Sequence, residues 1–207
     1  MSETLGFDPS LTNFGWAFYG GPLKGGRFQT SAKTLFVDRY VDLREQVRHI
    51  VRQNNVVRVG VEYPIFGESY SPGLYGLFLY TCEALRQEKC DVVFFSPGQG
   101  KAQAREILGR PTGWKMMKPD MVEAAKKDSG FRGALNHNVA DAYFIAKTAA
   151  RFWALQDGVL SAADLTPLEE RQFNLVHRYT RGKHAGKVVQ KGISFREGER
   201  FFQWSRE

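Results

Sequence analysis

With 207 residues, the chain has the length of one domain, or of one domain with an appendage. Hydrophobic residues at 43% and charged residues at 25% exclude a wholly disordered chain. A chain this long buries ~70% of the surface it exposes unfolded, so it folds without disulfides or structural metal. The net charge is +7, and 16 Phe, 8 Tyr and 4 Trp accompany it. Cations attract phosphates and rings stack on bases, so the balance suits a nucleic-acid partner, and equally a basic enzyme with anionic substrates.

Met1–Leu5 lacks the basic segment and apolar core of a signal peptide. No stretch approaches the ~20 apolar residues of a membrane span. Cys82 and Cys90 match neither a disulfide framework nor a zinc spacing. A reduced, cytoplasmic protein without a membrane partner is expected.

In chain order, residues 4–19 read as two short strands, 4–7 and 14–19, around the turn Asp8-Pro9-Ser10-Leu11-Thr12-Asn13. A third strand is expected around Arg27–Thr34, after a glycine-rich turn at Gly20–Gly26. Residues 38–53 repeat apolar side chains at helical spacing, with Tyr40, Val41, Val47, Ile50 and Val51 toward a core. Val56–Tyr63 is a short β-branched run, a buried strand that stops at Pro64. A second helix follows at 73–89, and then a buried strand, Asp91–Phe95, ending at Ser96-Pro97-Gly98. Residues 98–130 are polar, basic and helical in parts. Asn138–Gln156 forms a strong third helix, with Gly158 where a helix would stop. A three-stranded meander followed by alternating helix and strand implies an α/β fold, a mixed sheet covered by helices.

Three carboxylates stand at element ends. Asp8 closes the first strand, Glu62 lies near the end of the buried strand, and Asp141 sits in the first turn of the third helix. Sites on open α/β sheets gather beyond strand ends. Three acids meeting there would repel one another and a phosphodiester alike, so metal is part of the reading. Mg2+ takes oxygen ligands from carboxylates and phosphate, and a pair of such ions can clamp an in-line phosphoryl displacement. Each acid also has a plainer reading: an Asx turn for Asp8, an Arg-paired buried acid for Glu62, and a helix cap shared with Asn138 for Asp141. Their joint placement favours the site.

Leu5-Gly6-Phe7-Asp8-Pro9-Ser10-Leu11-Thr12-Asn13-Phe14-Gly15-Trp16-Ala17 resembles the opening strand-turn-strand of RuvC-type Holliday junction resolvases, in the ribonuclease H-like superfamily. Val59-Gly60-Val61-Glu62-Tyr63-Pro64 is similar to their second acidic motif, and His137-Asn138-Val139-Ala140-Asp141-Ala142-Tyr143 to their closing helix. Phe95-Ser96-Pro97 through Lys118-Pro119-Asp120-Met121-Val122 resembles their lysine-bearing segment. The resemblance spans roughly residues 4–155, four motifs in order. It implies a ribonuclease H-like, mixed five-stranded sheet flanked by helices. It also implies a homodimer and paired, Mg2+- or Mn2+-dependent incisions of a four-way DNA junction that leave 5′-phosphate and 3′-hydroxyl ends. Asp8, Glu62 and Asp141 would be metal ligands for two ions. The family's further ligand, an Asp or His three residues before the last acid, is here Asn138, with His137 one place earlier.

Lys101, Arg105, Arg110, Lys115 and Lys118 are interspersed with Gly98, Gly100, Gly109 and Gly113, as a flexible cationic segment for phosphate contact. By resemblance, Lys115 or Lys118 would approach the scissile phosphate. Tyr63 and Phe66 follow Glu62, as rings for unstacked bases or for packing under a loop. The apolar excess of residues 74–85 suits burial against a twin helix or ordinary core. The division expected is a nuclease domain at 1–157 and a basic, aromatic extension at 158–207, in which Val188–Phe195 would pair with the later aromatics. Rival functions are a ribonuclease H-like enzyme acting on RNA or flaps, a sugar-kinase-like phosphotransferase, for which the chain is too short, and a non-catalytic junction binder.

Overall fold

A period-two pattern divides the first strand between two layers. In the computed structural model, which describes residues 3–64 and 71–173, Gly186 and strand residues 176–178, 188–190 and 194–195, β1 (Thr4–Asp8) turns Leu5 and Phe7 to one face and Gly6 to the other. β2 (Asn13–Tyr19) pairs antiparallel with it, and β3 (Gly25–Gln29) pairs antiparallel with β2. β4 (Arg58–Glu62) and β5 (Asp91–Phe95) continue the sheet in parallel on the other side of β1. The core order is therefore β3-β2-β1-β4-β5, and a two-residue strand β8 (Ser194–Phe195) adds antiparallel to the β5 edge. This is the expected mixed five-stranded sheet, with one short strand more.

Helices α1 (Phe36–Gln53) and α2 (Pro72–Gln87) cover the Leu5/Phe7 face, where Leu43, Val47, Leu77 and Leu85 pack on Phe7, Phe14, Phe18, Val59 and Val61. Buried Arg39 of α1 donates to the Leu11 carbonyl at 2.7 Å and to Thr30 Oγ1 at 3.0 Å, pinning the turn that follows Asp8. The opposite face is covered by α5 (His137–Gln156), with α3 (Pro97–Ile107) and α4 (Lys118–Ser129) against it. Asp128 fastens α4 to α5, accepting from Tyr143 Oη at 2.8 Å and from Lys147 Nζ at 2.7 Å. α5 lies unusually close to the sheet. A Cβ on Gly6 would collide with the Ala142 carbonyl and the Ala146 amide, and one on Gly60 would sit 2.7 Å from Ala149 Cβ.

Four local expectations are corrected, and the first is Val41, expected toward the core but 37% exposed on α1. The third strand starts at Gly25, inside the expected turn, because Gly25 and Gly26 pair with Ala17 and Trp16. A Cβ on Gly26 would stand 2.7 Å from the Trp16 ring, so the glycines make room for the indole. Lys101 and Arg105 do not belong to a flexible segment but to helix α3. Ser96 and Gln99 start that helix: Gln99 Oε1 accepts from Ser96 N at 2.6 Å, and Pro97 occupies the first turn. The cap of α5 is Asn136, whose Oδ1 accepts from Asn138 N at 2.9 Å, so Asn138 and Asp141 lie inside the helix. β7 (Val188–Gln190) pairs with the preceding β6 (Val176–Arg178); the pairing expected between Val188–Phe195 and the later aromatics falls outside the described residues. Before these strands, α6 (Pro167–Phe173) docks on α3 and α5. Arg151 of α5 donates to Glu169 at 2.7 Å, and Gln172 meets Gln99 and Gln103 of α3.

Candidate active site

The sheet register brings the acids together. Asp8 lies two residues beyond Gly6 and Glu62 two beyond Gly60, so both project from the face that α5 covers. β1 and β4 run parallel with Phe7 opposite Val61, which leaves Asp8 and Glu62 side by side at the strand ends. Asp141 faces them from α5, one residue before the Ala142 carbonyl that abuts Gly6.

Charge records this convergence. Burial and the Asp141 carboxylate push the Asp8 carboxyl up to about 7. Burial, Asp8 and Asp141 push Glu62 up to about 8. Burial raises Asp141 to about 6. None of the three accepts a hydrogen bond or ion pair from a described residue. The Asx-turn, Arg-paired and helix-cap readings therefore fail at all three positions. Lys101 moderates all three acids, and Lys118, at the start of α4, moderates Asp8 and Asp141.

Among the described residues, no three His, Cys, Asp or Glu side chains already form a closed set of metal ligands. The donor chemistry nevertheless fits a hard divalent cation: three carboxylates, partly buried, mutually repelling and without an internal partner. His137 and Asn138 lie one helical turn before Asp141, on its side of α5. Asn138 packs against Gly15 of β2. The His137 imidazole is held below its ordinary range by burial, Lys118 and Arg27, so cations surround it.

The remaining candidates divide. Arg110 lies over the Trp114 ring at 5.0 Å, and Lys115 is exposed in the same turn before α4. Arg105 is partly buried on α3. These three are not among the groups that shift the acids. Tyr63 packs against the main core, and its N–H donates to the Phe95 carbonyl at 3.0 Å. Phe66 lies outside the described residues. The central position of Lys101 is not evident from the chain when Ser96-Pro97-Gly98 is read as a turn. Read as a capping box, the same residues start α3 beside Phe95, the register partner of Glu62, and carry Lys101 to the strand ends.

No protein-family model matches the chain, and no curated protein matches its sequence. Solved structures do match its fold. Thermus thermophilus RuvC in complex with a Holliday junction substrate superposes with a TM-score of 0.62 at 17% identity, covering 75% of this chain and 96% of that one. A second Thermus thermophilus RuvC structure gives 0.58 at 20% identity, with the same coverage. The fold is ribonuclease H-like, α/β with its sheet flanked by helices.

Proposed function

We propose that the chain is a metal-dependent, structure-selective endodeoxyribonuclease that resolves four-way DNA junctions by hydrolysing phosphodiester bonds in pairs. The observation that carries this reading is the convergence of Asp8, Glu62 and Asp141, without internal partners, on a ribonuclease H-like sheet with Lys101 and Lys118 beside them. A pair of Mg2+ or Mn2+ ions bound there would supply a water acidic enough to attack phosphorus and would offset phosphate charge. Asp8, Glu62 and Asp141 are the holding oxygens, and Asn138 or His137 completes the set. The two lysines have distinct tasks. Both are exposed and both offset the charge of Asp8 and Asp141, but Lys101 alone also acts on Glu62. Lys118 meets the scissile phosphate and steadies its developing charge, while Lys101 limits repulsion among all three acids. Arg105, Arg110 and Lys115 extend the positive surface for the flanking phosphates.

Paired incision requires two sites, and the α1–α2 pair offers a surface for a second copy. Leu35, Phe36, Val37 and Val41 of α1 and its approach are exposed, as is Leu79 of α2. Large apolar side chains gathered this way mark an interface. The similar RuvC was solved with a Holliday junction, which supports branched DNA as the substrate.

The test offers a four-way DNA junction, a flap, linear duplex and an RNA–DNA hybrid to the protein with Mg2+. Symmetric nicks in the junction are expected. Asp8→Asn should lower cutting roughly a hundredfold or more while junction binding persists. Preferential cutting of the hybrid or the flap would replace the resolvase reading with that of a nuclease for RNA or simpler branches.

A further inference from the structure

A groove of about 570 Å³ opens between the first turns of α4 and the start of α5. Pro119, Val122 and Leu135 give it an apolar floor, Lys118 and Lys126 stand along it, and Glu123 adds a carboxylate. Asn136 and His137 close the end nearest the acids. The Asn136 side-chain oxygen is occupied by capping α5, which leaves its amide N–H groups as donors.

The groove adjoins the candidate active site. Lys118 belongs to both, and His137 lies four residues before Asp141 on one side of α5, about 6 Å along the helix axis. A strand whose phosphodiester lies at the acids therefore has its next nucleotide at the groove mouth. An apolar floor accepts the face of a base, the amide and the carboxylate meet its polar edge, and flanking lysines meet its phosphates. A hydrophobic peptide would not use two cations spaced along the groove, and a free anion would not use the floor.

We infer that this groove receives the unstacked base of the nucleotide adjoining the cut, and that Glu123, Val122 and Leu135 determine which base is preferred there. The inference rests on the nuclease reading for its position relative to the cut, but base capture has its own readout. Glu123 is exposed, so Glu123→Trp fills the groove without entering the core, and Lys126→Glu opposes the strand at its far end.

The experiment places 2-aminopurine on either side of the cleavage position in a four-way junction, with Ca2+ replacing Mg2+. Wild type should raise the fluorescence of one of the two positions, and both variants should abolish the change while circular dichroism stays unaltered. With Mg2+, junctions differing only at that nucleotide should be cut at rates spread about tenfold by wild type and nearly equally by Glu123→Trp. Equal fluorescence changes in wild type and both variants would overturn the inference, as would base-independent cutting by wild type. A protein that unstacks the base but cuts nothing would overturn the nuclease reading and leave the groove assignment intact. A protein that binds no branched DNA would overturn both.

Discussion

A carboxylate among carboxylates holds its proton longer than one in water, and this sets the pH behaviour of the site. Asp8, Glu62 and Asp141 are raised to about 7, 8 and 6 from ordinary values near 4. Between those limits the folded chain binds protons that the unfolded chain has released, so stability falls as pH rises from about 4 to about 8. Without divalent cations, the melting temperature should decline across that window, and Asp8→Asn with Glu62→Gln should flatten the decline. Millimolar Mg2+ should raise the melting temperature at pH 8 far more than at pH 5, since the cation binds the ionised acids. For a chain of this length, each kcal/mol corresponds to about 2–4 °C. An unchanged slope in the double variant would show that other groups set the pH dependence.

Element placement rests on glycines whose roles differ in kind. Gly6 and Gly60 let α5 approach the sheet, and that approach carries Asp141 to the strand ends. Gly60→Ala should therefore cost about 1–3 kcal/mol in denaturant unfolding, and should reduce cutting further by moving α5. Gly98 is different: it lies in α3 with open space where a Cβ would stand. Gly98→Ala should stabilise the protein by roughly 0.4–1 kcal/mol, since alanine fits the helical first turn and has less unfolded-chain freedom to lose. A flexible segment there would give no such gain. The same contrast explains which elements were legible. Helices α1, α2 and α5 and strands β4 and β5 appear in the chain as uninterrupted periodicity. β3 and α3 do not, because glycine-rich text reads as turn until its partners, Trp16 and the Ser96–Gln99 cap, are in place.

At the scale of the molecule, two surfaces remain for partners. On the proposed reading, the net charge of +7 would serve phosphates and the exposed α1–α2 residues would serve a second copy. Sedimentation at micromolar concentration should give a dimer for wild type and a monomer for Val37→Glu with Leu79→Glu. Both positions are exposed, so the fold should be preserved. The monomer should still nick DNA but lose symmetric pairs. A wild-type monomer would remove the basis for coordinated incision.

The order of elements, the acidic residues and the cationic character follow from the chain alone, because burial periodicity and charge are local properties that neighbours in sequence report. Which cations face the acids and the groove beside the site were decided only by tertiary packing. Each depends on residues distant in sequence, Phe95 beside Glu62, Gly6 against Ala142 and Leu135 across from Val122, which meet only when α5 settles on the sheet.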